Sequence, residues 1–199
     1  MIFISTGGFS NKKGTDAYQY LKKKGLKNIE FSGGKYIKNF NYSINKYKNN
    51  TQIHNYFPPP KLPFVLNLSS KNKKISSKSF NFVKRNIKLS KKLGAKFYSF
   101  HAGFRVDPNY KELGKRINKS LLISKKEATE IFLKKLIKLN QFAKKNGVKL
   151  LIENNVISKK NLRRFNTNPF LLTTPKEIIS FFNKLKKYRN GIGLLLDVA

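Results

Sequence analysis

The sequence has no cysteine, no tryptophan and a single methionine, and only 9 of its 199 residues are acidic. Without cysteine there is no disulfide framework and no thiolate metal site, so a Cys-type structural zinc centre is excluded. A reducing, cytoplasmic setting is the expectation. No apolar run approaches the roughly 18 residues of a membrane span, and the opening MIFISTGG is too short for the apolar core of a signal peptide. No membrane association is therefore expected. Arginine is also scarce: Arg85, Arg105, Arg116, Arg163, Arg164 and Arg189 are the whole set, within 43 basic residues.

What the chain does have is lysine, and the formal net charge is +34. Lysines that neutralise phosphates release counterions, so nonspecific nucleic-acid binding is compatible with this charge. Base readers and phosphate clamps favour the bidentate fork of arginine, however. Abundant Lys, Asn, Ile, Phe and Tyr together match the composition of an AT-rich coding sequence. Solvated helix faces account for most of the charge. The length suits one domain spanning 1–199, and 39% hydrophobic residues suffice for a core.

One supersecondary unit repeats. A helix ends in lysines, a glycine follows, and a short apolar strand then stops at a polar residue. YLKKKG-LKNIEF places Gly25 before a strand carrying Glu30, and LSKKLG-AKFYSFH places Gly94 before a strand ending at His101. QFAKKNG-VKLLIEN and LKKYRNG-IGLLLD do the same with Gly147 before Glu153 and Gly191 before Asp197. Lysines complement the negative end of the helix dipole, and glycine accepts the left-handed conformation that closes a helix. KLLI and GLLL are continuously apolar, as parallel strands covered by helices are.

The first strand is expected at residues 2–5 and the third near Thr51–His54. A helix is expected over Lys78–Leu93, with Phe82, Val83, Ile87 and Leu93 inward. Ser124 with Glu127, and Thr174-Pro175 with Glu177, read as helix starts. The following helices carry Ile131, Leu133, Leu136, Ile137, Asn140 and Phe142, then Ile178, Ile179, Phe182 and Leu185, as candidate inward stripes. Six strands alternating with helices imply a parallel α/β fold, and both an open Rossmann sheet and a TIM barrel fit that order. No G-x-G-x-x-G follows the first strand. Gly7-Gly8 and Gly33-Gly34 read as tight turns or phosphate cradles.

The scarce polar residues are placed unevenly. Both histidines, His54 and His101, fall at strand C-terminal ends, and so do Glu153 and Asp197; Glu30 lies within a strand. A carboxylate directly after LLI or LLL is costly to desolvate unless paired or metal-bound. In a (β/α) barrel the strand C-termini converge on one face. Two carboxylates with imidazole suit a divalent metal such as Zn, Mn or Co. Two long segments follow strands on that face, residues 102–123 and 154–173, and they hold Arg105, Arg163 and Arg164. Such segments act as lids or binding loops.

The order of QIHNYFPPP, SFHAGF, LLIENN and GLLLDVA resembles the xylose isomerase-like TIM barrel superfamily, which includes sugar and sugar-phosphate isomerases and epimerases and the endonuclease IV enzymes. The resemblance implies an α/β fold of (β/α) TIM-barrel type, here about six of eight βα units. In the sugar branch it implies a divalent metal (Mn, Mg, Co or Zn) on Glu153 and Asp197; in the endonuclease branch His101 and His54 join the same carboxylates in a zinc cluster, and many isomerase-like members keep both histidines too. It also implies Glu153 as acid/base beside a substrate carbonyl, through an enediolate. Glu30, Arg105 and Asn154 are the expected substrate contacts, and a sugar or sugar phosphate is the expected ligand. A homo-oligomer is compatible with this reading. The rival it leaves open is an abasic-site endonuclease with a zinc cluster. NIEFSGG resembles the sugar branch, and the insertion YFPPPKLP departs from the endonuclease one. Where the family continues with a histidine and two further βα units, the sequence stops at Asp197-Val198-Ala199. A fragment, inactive by itself, is therefore expected.

Overall fold

A run of short apolar segments, each fed by a lysine-tipped helix, assembles into one six-stranded sheet. Its strands are β1 (Ile4–Ser5), β2 (Ile29–Phe31), β3 (Thr51–His54), β4 (Phe97–His101), β5 (Lys149–Glu153) and β6 (Gly193–Leu195). The structure is a computed structural model that describes residues 2–9, 11–48, 50–188 and 191–198. Arg189, Asn190 and Ala199, on which the expected helix end and stopping point fall, lie outside the described residues.

Every pairing is parallel and the spatial order is the chain order, β1 to β6. Each crossover therefore steps to the next position in the same direction, the winding of a (β/α) barrel rather than of a doubly wound sheet. The helices are α1 (Gly14–Lys23), α2 (Phe40–Ser43), α3 (Lys73–Leu93), α4 (Lys125–Lys145), α5 (Lys159–Phe165) and α6 (Pro175–Lys186).

The expected helix signals operate. Ser124 and Thr174 each accept the backbone N–H three residues on, from Glu127 and Glu177, and Pro175 opens α6. Gly94 closes α3 at φ 70°, where a side chain would be strained. The helix expected from Lys78 begins five residues earlier, because the Asn72 side chain accepts from the N–H groups of Lys74 and Ile75 and caps it.

Strand residues alternate between two environments, as a period of two requires. Ile29, Phe31, Ile53, Tyr98, Phe100, Leu150 and Ile152 are buried on the helix-covered face. Opposite them α3 buries Phe82, Val83, Ile87 and Leu93, as expected from the sequence. Burying each such side chain contributes about 1.5–3 kcal/mol. Phe31 stacks on Phe57 with ring centroids 4.3 Å apart, and Tyr18, Phe40 and Tyr47 pack edge or face around them.

Four details differ from the sequence reading. β1 is Ile4–Ser5 rather than residues 2–5: its pairing with β2 begins at Ile4, and Ile2 ahead of it is exposed. β6 ends at Leu195, so Asp197 lies two residues beyond the ladder. α4 buries Ala128, Phe132, Leu136, Leu139, Asn140 and Ala143, spaced by three and four. Ile131, Leu133, Ile137 and Phe142 flank that stripe; α4 is apolar on several sides, and the ammonium of Lys84 covers the Phe142 ring. α6 seats Phe181 and Leu185, with Ile178 and Phe182 half-buried and Ile179 exposed.

Candidate metal centre

The other strand face is mostly polar, with Phe97 and Leu151 the apolar exceptions in β4 and β5. Ser5, Glu30, Gln52, His54, Ser99, His101 and Glu153 share the parity opposite to the buried set, and the register aligns them in rows. Ser5 lies beside Glu30, Glu30 beside Gln52, His54 beside Ser99, and His101 beside Glu153. Three strand ends thus deliver His54, His101 and Glu153 to one rim. Their ligand atoms all lie within 4.8 Å of one another.

The geometry centres on one oxygen. His54 Nε2 lies 3.1 Å and His101 Nδ1 3.0 Å from Glu153 Oε2. Yet Oε2 and His101 Nδ1 are buried without a well-directed hydrogen bond. The rings converge on the oxygen without aiming N–H bonds at it, and two imidazoles with a carboxylate form an N,N,O donor set suited to a divalent cation. Burial would raise the Glu153 carboxyl, but the two imidazoles outweigh it and bring it down to about 2. The carboxylate is therefore charged and ready as a ligand. His54 is held from behind, its Nδ1 2.9 Å from Ser99 Oγ. That contact directs Nε2 toward the cluster, as outer hydrogen bonds do at metal-ligating histidines.

Asp197 is not within the three-residue cluster but lines the same cleft as His101. Asn154 fixes its backbone from both sides: Asn154 Nδ2 donates to Asp197 O at 2.9 Å, and Asp197 N donates to Asn154 Oδ1 at 2.7 Å. The side-chain amide replaces a ladder rung where β5–β6 pairing has ended. Glu30 lies one row deeper than His54 on the same face. Burial raises its carboxyl, the nearby His54 and a hydrogen bond from Ser5 partly offset this, and the Glu153 charge adds to the rise.

Arg105 faces away from the cluster. Its Nε donates to Ile123 O at 2.9 Å and its Nη1 to Asn168 O at 2.7 Å, stitching together the two long segments. Arg163 and Arg164 lie on α5, a helix inside the segment expected to be loop, and neither lines the cleft.

Three segments build the rim above the cluster. The one after β3 is tied to the one after β4 by Asn67, and the one after β4 to the one after β5 by a bridge between Phe104 and Phe170. Val65, Phe104, Ile117, Phe165 and Phe170 form a second apolar cluster there. Between it and the strand ends lies a cleft of about 450 Å³ that reaches His101 and Asp197. Ser99 was legible in principle, two residues before His101 on the same face. The rim residues carry no such periodic signal.

No helix among the described residues is long and apolar enough to cross a membrane. The family described as "Xylose isomerase-like TIM barrel" matches residues 18–199. No curated protein matches the sequence. Among solved structures, an L-ribulose 3-epimerase superposes with TM-score 0.66 at 18% identity, over 98% of this chain and 60% of that one. A D-psicose 3-epimerase from Clostridium cellulolyticum H10, solved with D-tagatose, gives 0.65 at 18%, over 98% and 62%. A xylose isomerase-like TIM barrel protein from Mycobacterium smegmatis, in complex with magnesium, gives 0.62 at 11%, over 99% and 63%. At these identities the likeness is one of fold, and the chain spans about three fifths of each neighbour's length.

Proposed function

Since the chain belongs to the xylose isomerase-like TIM barrel family, we propose that its rim centre is that of a metal-dependent sugar isomerase or epimerase. The observation that carries this is the convergence of His54, His101 and Glu153 within 4.8 Å at the ends of adjacent strands, beside an open cleft. The epimerases among the structural neighbours support it as well.

In this reading His54, His101 and Glu153 hold a divalent cation, with Asp197 at the cleft edge as the further carboxylate. Bound there, the cation supplies Lewis acidity to a substrate carbonyl. Glu153 is the acid/base. It takes the proton from the carbon next to the carbonyl, leaving an enediolate; protonation of the former carbonyl carbon then completes an isomerisation, and protonation of the original carbon from its opposite face an epimerisation. The two imidazoles hold Glu153 in the carboxylate form that binds a cation. Ser99 keeps the His54 ring oriented, and Asn154 keeps Asp197 against the cleft. The amide of Asn154 and the guanidinium of Arg105 are engaged with backbone groups, and Glu30 lies on the floor. Substrate contact therefore falls chiefly to the cleft wall.

Titration of the chain with Mn²⁺ tests this. The unaltered chain is expected to bind one equivalent, and Glu153→Gln and His54→Ala each to weaken binding by about a hundredfold or more, since outer-shell changes alone cost about 10–100-fold. Equal Mn²⁺ affinity in all three proteins refutes the centre. Cleavage of an abasic-site oligonucleotide by the unaltered chain but not by Glu153→Gln would favour phosphodiester chemistry instead.

A further inference from the structure

Cations are abundant in this chain, yet the cleft beside the cluster nearly lacks them. Among the described residues lining it, Lys115 is the only cation, while Glu112 and Asp197 bring carboxylates. Scarcity elsewhere is not the cause. A groove beside Pro58–Pro60 is lined by Lys61, Arg85, Lys88 and Lys92 with no carboxylate. In a chain of 43 basic and 9 acidic residues, a lining with two carboxylates and one ammonium runs against the whole composition.

We propose that this site takes an uncharged sugar and disfavours its phosphate ester, with the end of the sugar away from the metal centre lying against the apolar wall. The inference rests on the reading of the centre as a sugar isomerase or epimerase. A terminal phosphate is bound by arginine forks, by lysine, or by backbone N–H groups at a helix start or nest. Little of this is on offer in the cleft. Arg105 is committed to the carbonyls of Ile123 and Asn168. Lys115 is solvent-exposed at the mouth. At the start of α5, Ser158 Oγ already accepts from Asn161 N, and the Asn161 side chain accepts from Ile117 N and donates to Lys115 O.

The wall offers something else. Val65, Leu66, Phe104, Ile117 and Phe170 are all buried residues that border the cleft. The Phe104 and Phe170 rings meet at 5.0 Å with an interplanar angle of 70°. Rings fixed this way present a stiff apolar surface, which suits the C–H faces of a sugar and offers nothing to a phosphate dianion. Desolvating a dianion against these rings, with carboxylates nearby, is unfavourable on both counts.

The test uses the full chain with Mg²⁺ in 150 mM salt. D-fructose, D-tagatose and their 6-phosphates are titrated while the His101 ring and Phe104 amide NMR signals are followed. Local signals matter, because a chain of this charge attracts any phosphate ester to its surface. At least one free ketose is expected to move both signals, and its ester to bind at least tenfold more weakly. Val156→Lys places a cation on a half-exposed residue of the lining and is expected to strengthen the ester relative to the sugar. An ester that binds at His101 more tightly than its free sugar overturns the inference while leaving the sugar-enzyme reading standing. If no compound of either kind moves these signals, the sugar-enzyme reading falls and this inference with it.

Discussion

Asn67 ties the segment after β3 to the one after β4, and replacing it tests how the cleft is held open. The residue is 1% exposed. Its Oδ1 accepts from Ser69 N at 2.9 Å and Phe104 N at 3.0 Å. Its Nδ2 reaches Asp107 Oδ1 at 2.8 Å and the carbonyls of Val106 and Phe104 at 3.1 and 3.2 Å. Asn67→Leu keeps a branched side chain of similar reach but leaves the two N–H donors without partners in a site closed to water. At about 1–3 kcal/mol for each orphaned buried donor, the cost is about 2–6 kcal/mol. Asn67→Ala removes the same partners but opens space for a water that can bridge them, so it is expected to cost less. The stability order is therefore wild type, then Ala, then Leu, the reverse of what side-chain hydrophobicity alone dictates. Urea unfolding followed by far-UV circular dichroism measures it, and hydrogen exchange should show faster exchange of the 102–124 amides in both variants. A Leu variant as stable as the Ala variant, or more so, refutes the reasoning.

Two further outcomes follow from close contacts and buried charge. A Cβ at Gly103 would lie 1.9 Å from Ser69 Oγ and 2.8 Å from Ser69 Cβ, so Gly103→Ala should cost at least the 1–3 kcal/mol typical of overpacking. Ser69→Gly in the same chain should recover most of that loss, and thermal melts showing no recovery would place the strain elsewhere. Glu30 has a carboxyl pKa raised above the ordinary 4.5 in the native state, so the folded chain binds its proton more tightly and loses stability as pH rises through that raised value. Glu30→Gln should melt higher than wild type at pH 7 and alike below about pH 4.5; a lower melting point at pH 7 would mean that the ionised carboxylate is stabilising.

The legible part of this molecule is the part whose causes are local. Lysine-tipped helix ends, a left-handed glycine such as Gly94, and apolar runs such as KLLI each act within a few residues, so β2 to β5 lie where the pattern places them. His54, His101 and Glu153 were legible for a related reason. A strand's end is a local feature, and parallel winding in chain order brings all such ends to one rim. The faces of α4 and α6 were less legible. Both helices are apolar on several sides, and only contact with the sheet selects Phe132 and Phe181 over Ile131 and Ile179.

The role of Arg105 lay beyond local pattern altogether. In the sequence it is one of few arginines, in a long segment after a strand, which suggests a ligand clamp. In the fold its partners are Ile123 and Asn168, 18 and 63 residues away, and neither has any signature. Asn154 follows the same logic: its register with Asp197 exists only because β6 stops pairing at Leu195. Of the scarce polar residues at strand ends, His54, His101 and Glu153 meet at one rim and Asp197, beyond the end of its strand, stays outside that cluster, whereas those on connecting segments hold the segments together. For this chain, then, chemistry is legible where the sheet fixes direction. Where segments meet one another, a polar side chain is first a structural partner, and its availability to a ligand has to be established from the hydrogen bonds it already makes.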